Sequence, residues 1–129
     1  MAALTVVVEG IPAPQGSKRH VGGGRLIESS KRVRPWRDAI ATTIASCHPT
    51  ISFNRPVYVS VVFLFLRFKS SKDKWPTSRR FGDIDKLLRS TLDALVECGT
   101  LADDAMVVQT HASKRFGSTS GAMINIWTV

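Results

Sequence analysis

Residues 57–68 read VYVSVVFLFLRF. Twelve residues that are apolar on both faces for most of their length, rich in Val and Phe, fit a strand covered by neighbours and little else. At a sheet edge such a run would template aggregation. The expectation is a strand in the middle of a sheet or at a dimer contact. It is too short to cross a bilayer as a helix.

The other elements follow from local pattern. Residues 4–9 form a β-branched run and predict a strand. Residues 10–16 are a Pro-rich loop. Residues 18–37 carry seven basic side chains around Gly22, Gly23 and Gly24, with 25–28 as a short extended piece. The order of Gly16, Ser17 and Lys18 and the spacing from Gly10 do not make a phosphate-binding P-loop. Pro35 suits a first helical turn. Residues 36–47 continue that helix with Trp36, Ile40, Thr43, Ile44 and Cys47 on one face, and His48 and Pro49 end it. A second helix opens after Asp83 and ends at Gly99, where a left-handed residue closes a helix cheaply. On this second helix the periodicity puts Ile84, Leu88, Thr91, Leu92 and Leu95 on the buried arc. Residues 106–114 and 122–129 predict two strands joined by a Gly/Ser-rich hairpin. The order is strand, helix, strand, helix, strand, strand, which is an α/β fold with a mixed sheet and helices on one or both faces. The length of 129 residues fits one domain, 1–129.

Charge separates the chain into two kinds of surface. The net charge is +8 and the pI near 10.2, which points to a polyanionic partner. Lys18, Arg19, Lys72, Lys74, Arg79, Arg80 and Lys86 are the candidates to grip a phosphate backbone. Phe81, two residues before Asp83, suits either an apolar wedge between bases or a core position. Cys47 and Cys98 make neither a zinc motif nor a disulfide framework and read as reduced core residues of an intracellular protein. The N-terminal apolar run has no basic residues before it, so no export signal is expected.

Against this basic background, six of the ten acidic residues lie between Asp83 and Asp104. Asp83 and Asp85 bracket the start of the second helix. Arg89 and Asp93 follow at one-turn intervals from Asp85, and Asp103 and Asp104 precede the next strand. Two carboxylates ~5 Å apart repel by roughly 3 kcal/mol at an effective dielectric of ~20. Three such pairs approach ~10 kcal/mol, comparable with the ~5–15 kcal/mol stability of a small domain. If Asp104 returns to the helix start, the group must bind a cation or keep protons. Oxygen-only ligands suit Mg2+, with Mn2+ as the alternative. Asp93 and Asp103 are candidates to orient those ligands or to cap turns. Capping is also an ordinary reason for Asp at a helix start.

The run Asp83-x-Asp85, an apolar pair, Arg89, Leu-Asp-Ala-Leu at 92–95, Gly99 and Asp103-Asp104 before Val107-Val108 resembles the signature of RusA-type Holliday-junction resolvases. A weaker likeness is Ile11-Pro-Ala-Pro-Gln-Gly-Ser-Lys18, similar to that family's Pro-rich basic segment. The resemblance implies that Asp83, Asp85 and Asp104 bind magnesium and are essential for cleavage, that Arg89 assists, and that Lys114 contacts phosphate. Lys86 stands where the family usually has Asn, and Arg89 where it usually has Lys. The resemblance further implies branched DNA as substrate and a homodimer, whose twofold axis suits a four-way junction needing two cuts. Three other readings compete: a non-catalytic nucleic-acid-binding module, a metal nuclease for flaps or RNA, and, more distantly, a metal-dependent transferase with an Asp-x-Asp site.

Overall fold

The computed structural model describes residues 2–15, 18–21, 25–28 and 31–129, with the backbone alone for 18–21 and 25–28. The strands are β1 (Leu4–Glu9), β2 (Lys18–Val21), β3 (Arg25–Glu28), β4 (Val57–Phe65), β5 (Val107–Phe116) and β6 (Gly121–Thr128). The helices are α1 (Val33–Cys47) and α2 (Ile84–Glu97), with short 3-10 turns at Arg79–Phe81 and Asp104–Met106. The expected α/β order is present, with the β2–β3 hairpin set between β1 and α1. The glycine triplet at the tip of that hairpin lies outside the described residues.

The main sheet is mixed, in the order β1-β6-β4-β5. β4 runs antiparallel to β6 and parallel to β5, so the apolar run is central; it lies between β5 and β6, which corrects the expected hairpin between those two strands to a connection that crosses β4. It ends at Phe65 rather than Phe68 because its partners end there, at Gly121 and Phe116. Leu66 is then exposed, while Phe68 turns back onto Phe81.

One face of the sheet carries the core. Leu4, Val6 and Val8 of β1, Val57, Val59, Val61 and Phe63 of β4, and Ala122, Ile124 and Ile126 of β6 are buried beneath the helices. The opposite face of β4, which the sequence marks as equally apolar, is half-exposed. It is covered by ring packing rather than by a helix, with Tyr58 and Trp127 stacked at 4.8 Å.

α1 begins two residues before the expected start. A proline in the first turn removes no helical hydrogen bond, so Pro35 tolerates this. Val33, Trp36, Ile40 and Ile44 are its buried stripe. Trp36 anchors the two helices to each other, its Nε1 donating to Thr91 Oγ1 at 3.2 Å. Cys47 and Cys98 are free but exposed, which corrects their assignment to the core; both fall at the frayed C-terminal ends of helices.

Candidate metal and nucleic-acid site

The start of α2 is held by three contacts. Gly82 has φ +91°, and a Cβ there would fall 2.7 Å from Pro14 Cγ, so only glycine lets residues 11–15 lie against it. Gln15 N donates to Lys86 O at 3.0 Å, clamping that Pro-rich segment to the first turn. From β5, Lys114 Nζ donates to Gly82 O at 2.8 Å. Two chain segments, residues 11–15 and β5, thus fix the backbone that presents Asp83 and Asp85.

Asp83 occupies the N-cap position with extended backbone, yet its side chain makes no capping bond. The side chain is 70% exposed and pairs with Lys86 at 3.6 Å. An exposed pair of this kind contributes little. Asp83 is therefore available for a ligand rather than committed to the helix. Asp103, in contrast, is a cap, accepting from Ala105 N at 2.9 Å in the 3-10 turn before β5.

The buried arc of α2 is rotated from the one the periodicity suggested. Leu87, Ser90, Thr91, Ala94 and Leu95 are buried, Ile84 is 38% exposed, and Leu88 and Leu92 are half-buried. The small side chains at 90 and 94 permit close packing, and the Trp36–Thr91 bond sets the rotation. The displaced stripe instead faces a groove of about 220 Å³ lined by Asp85, Leu88, Arg89, Leu92, Asp93 and Asp104. Among the described residues, neither Asp85 nor Arg89 has a hydrogen-bond or ion-pair partner.

Not all six acids await a cation. Arg37, 12% exposed, reaches Asp93 at 3.2 Å and Glu97 at 3.3 Å. Arg34 forks onto both Glu97 oxygens. Arg34 holds the Glu97 carboxyl below the usual carboxylate range, chiefly by hydrogen bonding. The helical arginines thus answer two acids that the sequence reading assigned to the cluster. At Asp103 the Ala105 amide, with a smaller effect from Asp104, lowers the carboxyl. Asp104 moves the other way. The hydrogen bond from its carboxyl to Asp103, desolvation, and the charges of Asp103 and Asp93 all push it up.

The structure brings Asp85, Arg89, Asp93 and Asp104 to one groove, and Asp83 is not among the residues that line it. It does not close a three-acid cluster: among the described residues no group of three or more His, Cys, Asp or Glu is arranged to hold a metal ion. Asp104 feels Asp93, and Asp93 lies eight residues, ~12 Å of helix, from Asp85. Ligands of one Mg2+ at ~2.0–2.1 Å must lie within about 4 Å of each other. The donor chemistry therefore suits a hard divalent ion, while among the described residues of one chain the acids do not close a ligand set.

Of the proposed phosphate contacts, Lys72, Lys74, Arg79 and Arg80 are exposed in the loop and turn leading to Asp83. Arg80 lies 3.8 Å over the Phe68 ring, and its carbonyl accepts from Arg32. The side chains of Lys18 and Arg19 lie outside the described residues. The wedge role for Phe81 is corrected. Phe81 is 8% exposed and packs among Phe65, Phe68 and Phe116, so it is a core ring. Sequence reasoning missed Arg37 and Gln15, whose side chains bond each other beside Asp93. Arg37 sits one position past buried Trp36, and periodicity alone marks it as helix surface.

No curated protein matches the chain. A family model described as Endodeoxyribonuclease RusA matches residues 8–127, which takes in both helices, the acidic groove, the basic loops and nearly the whole sheet. On that coverage the chain belongs to the RusA family of endodeoxyribonucleases.

Proposed function

We propose that this chain is a magnesium-dependent endonuclease that resolves four-way junctions or related branched DNA by paired nicks, acting as a homodimer inside the cell. One observation carries the reading. In a family of endodeoxyribonucleases and a chain of net charge +8, Asp85 and Asp104 share a groove with Arg89, and among the described residues neither acid has an ion-pair partner. Acids oppose phosphate binding unless a divalent ion stands between them.

Asp83, Asp85 and Asp104 are the ligand set. A bound Mg2+ supplies a polarised phosphate and a water of lowered pKa. Arg89 neutralises charge that builds on the phosphate; its guanidinium stays protonated and relays no proton. Lys114 and the clamp at Gln15 keep the first turn of α2 in place. Lys72, Lys74, Arg79 and Arg80 hold the backbone without reading sequence, so binding weakens steeply with salt.

The spacing of the acids supports a site shared between two copies. Ile84, Leu88 and Leu92 form a partly exposed stripe one turn apart along α2. Two α2 helices packed antiparallel on that stripe about a twofold axis would bring Asp104 of the partner subunit toward Asp83 and Asp85. Two such sites result, matching the two strands a junction needs cut.

The test is to incubate the protein with a labelled four-way junction, a flap, an RNA hairpin and a linear duplex, with and without Mg2+. Metal-dependent, symmetry-related nicks in the junction are expected. Preference for the flap or RNA would move the substrate assignment. Absence of nicking on all four, with tight junction binding, would establish a non-catalytic module instead.

A further inference from the structure

Trp75 is the only aromatic side chain among the described residues that stands out as largely exposed, at 49%. Its setting is specific. The following Pro76 is buried, and Thr77 N donates to Trp75 O at 2.9 Å, so the backbone beneath the ring is fixed. Lys74 Nζ lies 6.0 Å and Arg115 Cζ 5.9 Å from the ring centroid.

Comparison with the other cation–ring pairs is informative. Arg80 lies 3.8 Å over Phe68, and Arg67 lies 4.7 Å over Phe116. Those guanidinium groups sit on their rings, and both rings are partly buried. At Trp75 both cations lie over the ring only at the outer limit of a cation–π contact, so neither is packed onto it as on Phe68 and Phe116. A half-exposed indole with two cations within about 6 Å matches the chemistry of a base and its neighbouring phosphates.

The location matches the substrate. Arg115 neighbours Lys114 on β5, and consecutive strand residues point to opposite faces. Lys114 reaches Gly82 O beside Asp83, while Arg115 reaches Trp75. The ring therefore lies around the end of β5 from the acids. We infer that Trp75, with Lys74 and Arg115, is a stacking platform for an unpaired base next to the branch point. This inference deepens the branched-DNA reading and rests on it for the substrate. A fully paired duplex has no free base face to offer the ring.

The experiment measures binding without divalent metal to oligothymidylate, a blunt matched duplex and a four-way junction. It uses wild type, Trp75→Ala and Trp75→Phe. Stacking on an aromatic ring predicts a roughly five- to hundredfold loss with Trp75→Ala on oligothymidylate. A smaller loss is expected on the junction, no change on the duplex, and substantial rescue by Trp75→Phe. Oligothymidylate should quench tryptophan emission in wild type and fail to do so in Trp75→Phe. Equal loss on all three DNAs, or no loss on oligothymidylate, overturns the inference. So does self-association that disappears in Trp75→Ala while DNA binding is unchanged, which would assign the ring to a second copy. If wild type cuts no branched DNA but the oligothymidylate result holds, the platform stands and the nuclease reading falls. If junctions are cut and Trp75→Ala binds normally, the reverse is true.

Discussion

Mixing two inactive variants tests whether the acidic site is shared between chains. Asp83→Asn and Asp104→Asn each remove one proposed ligand, and each alone should be inactive. Along the groove, Asp85 and Asp93 are separated by ~12 Å of helix, and Asp104 feels the charge of Asp93. A single ion needs its ligands within about 4 Å. If the ion is held across a twofold axis, a mixed dimer contains one doubly defective site and one intact site. Random exchange makes about half of the dimers mixed, so nicking should return to roughly a quarter of the wild-type rate per chain. The products should be single nicks rather than paired cuts. The assay is a labelled junction in Mg2+ after the variants are unfolded and refolded together, with separately refolded variants as the blank. Nothing in the mixture should cut if all three ligands belong to one chain. A mixture as dead as its components would refute the shared site and leave each chain to close its own.

Asp83→Asn should abolish cutting while keeping or tightening junction binding, read by gel shift, because it removes negative charge beside phosphate along with the ligand. Arg89→Lys should keep substantial activity, whereas Arg89→Met should lower the cleavage rate by about 10²-fold with little change in binding. Gly82→Ala should displace residues 11–15, since its Cβ would meet Pro14 at 2.7 Å at φ +91°; about 1–3 kcal/mol of stability loss is expected by chemical denaturation. For pH, Glu97 has a lowered folded-state pKa, so its contribution is complete above the unfolded value of about 4.3 and is lost as pH falls through the folded value. Glu97→Gln should therefore flatten the acid limb of the stability curve. Asp104 is raised, chiefly by its hydrogen bond to Asp103, so protons compete for it more than for an ordinary carboxylate. The Mg2+ concentration giving half-maximal cleavage should then rise as pH is lowered toward the carboxylate range, and a response that stays flat through that range would contradict it.

The elements were legible because each has a local cause. The β-branched runs, Gly99 at its positive φ, and the apolar length of β4 all sit where pattern and turn chemistry put them. Two things were not legible. One is the rotation of α2, because Ile84, Leu88 and Leu92 satisfy a buried stripe as well as Leu87, Thr91 and Leu95 do, and only packing against Trp36 chooses between them. The other is which acids are already answered. Arg34 and Arg37 are some sixty residues from Glu97 in sequence, and their pairing exists only once α1 lies beside α2. Phe81 illustrates the same limit: an aromatic next to an acidic motif suits a wedge and a core equally until three other rings close around it.

The neighbours of β6 have a consequence for how the molecule is made. β1 pairs only with β6, and β6 is also the antiparallel neighbour of β4. A ribosome therefore releases β1, α1, β4 and α2 before the strand that joins β1 to the rest exists. Until then β1 has no hydrogen-bonding partner in the sheet and one flank of β4 lies bare, a state that favours chaperone capture and slow, whole-chain folding.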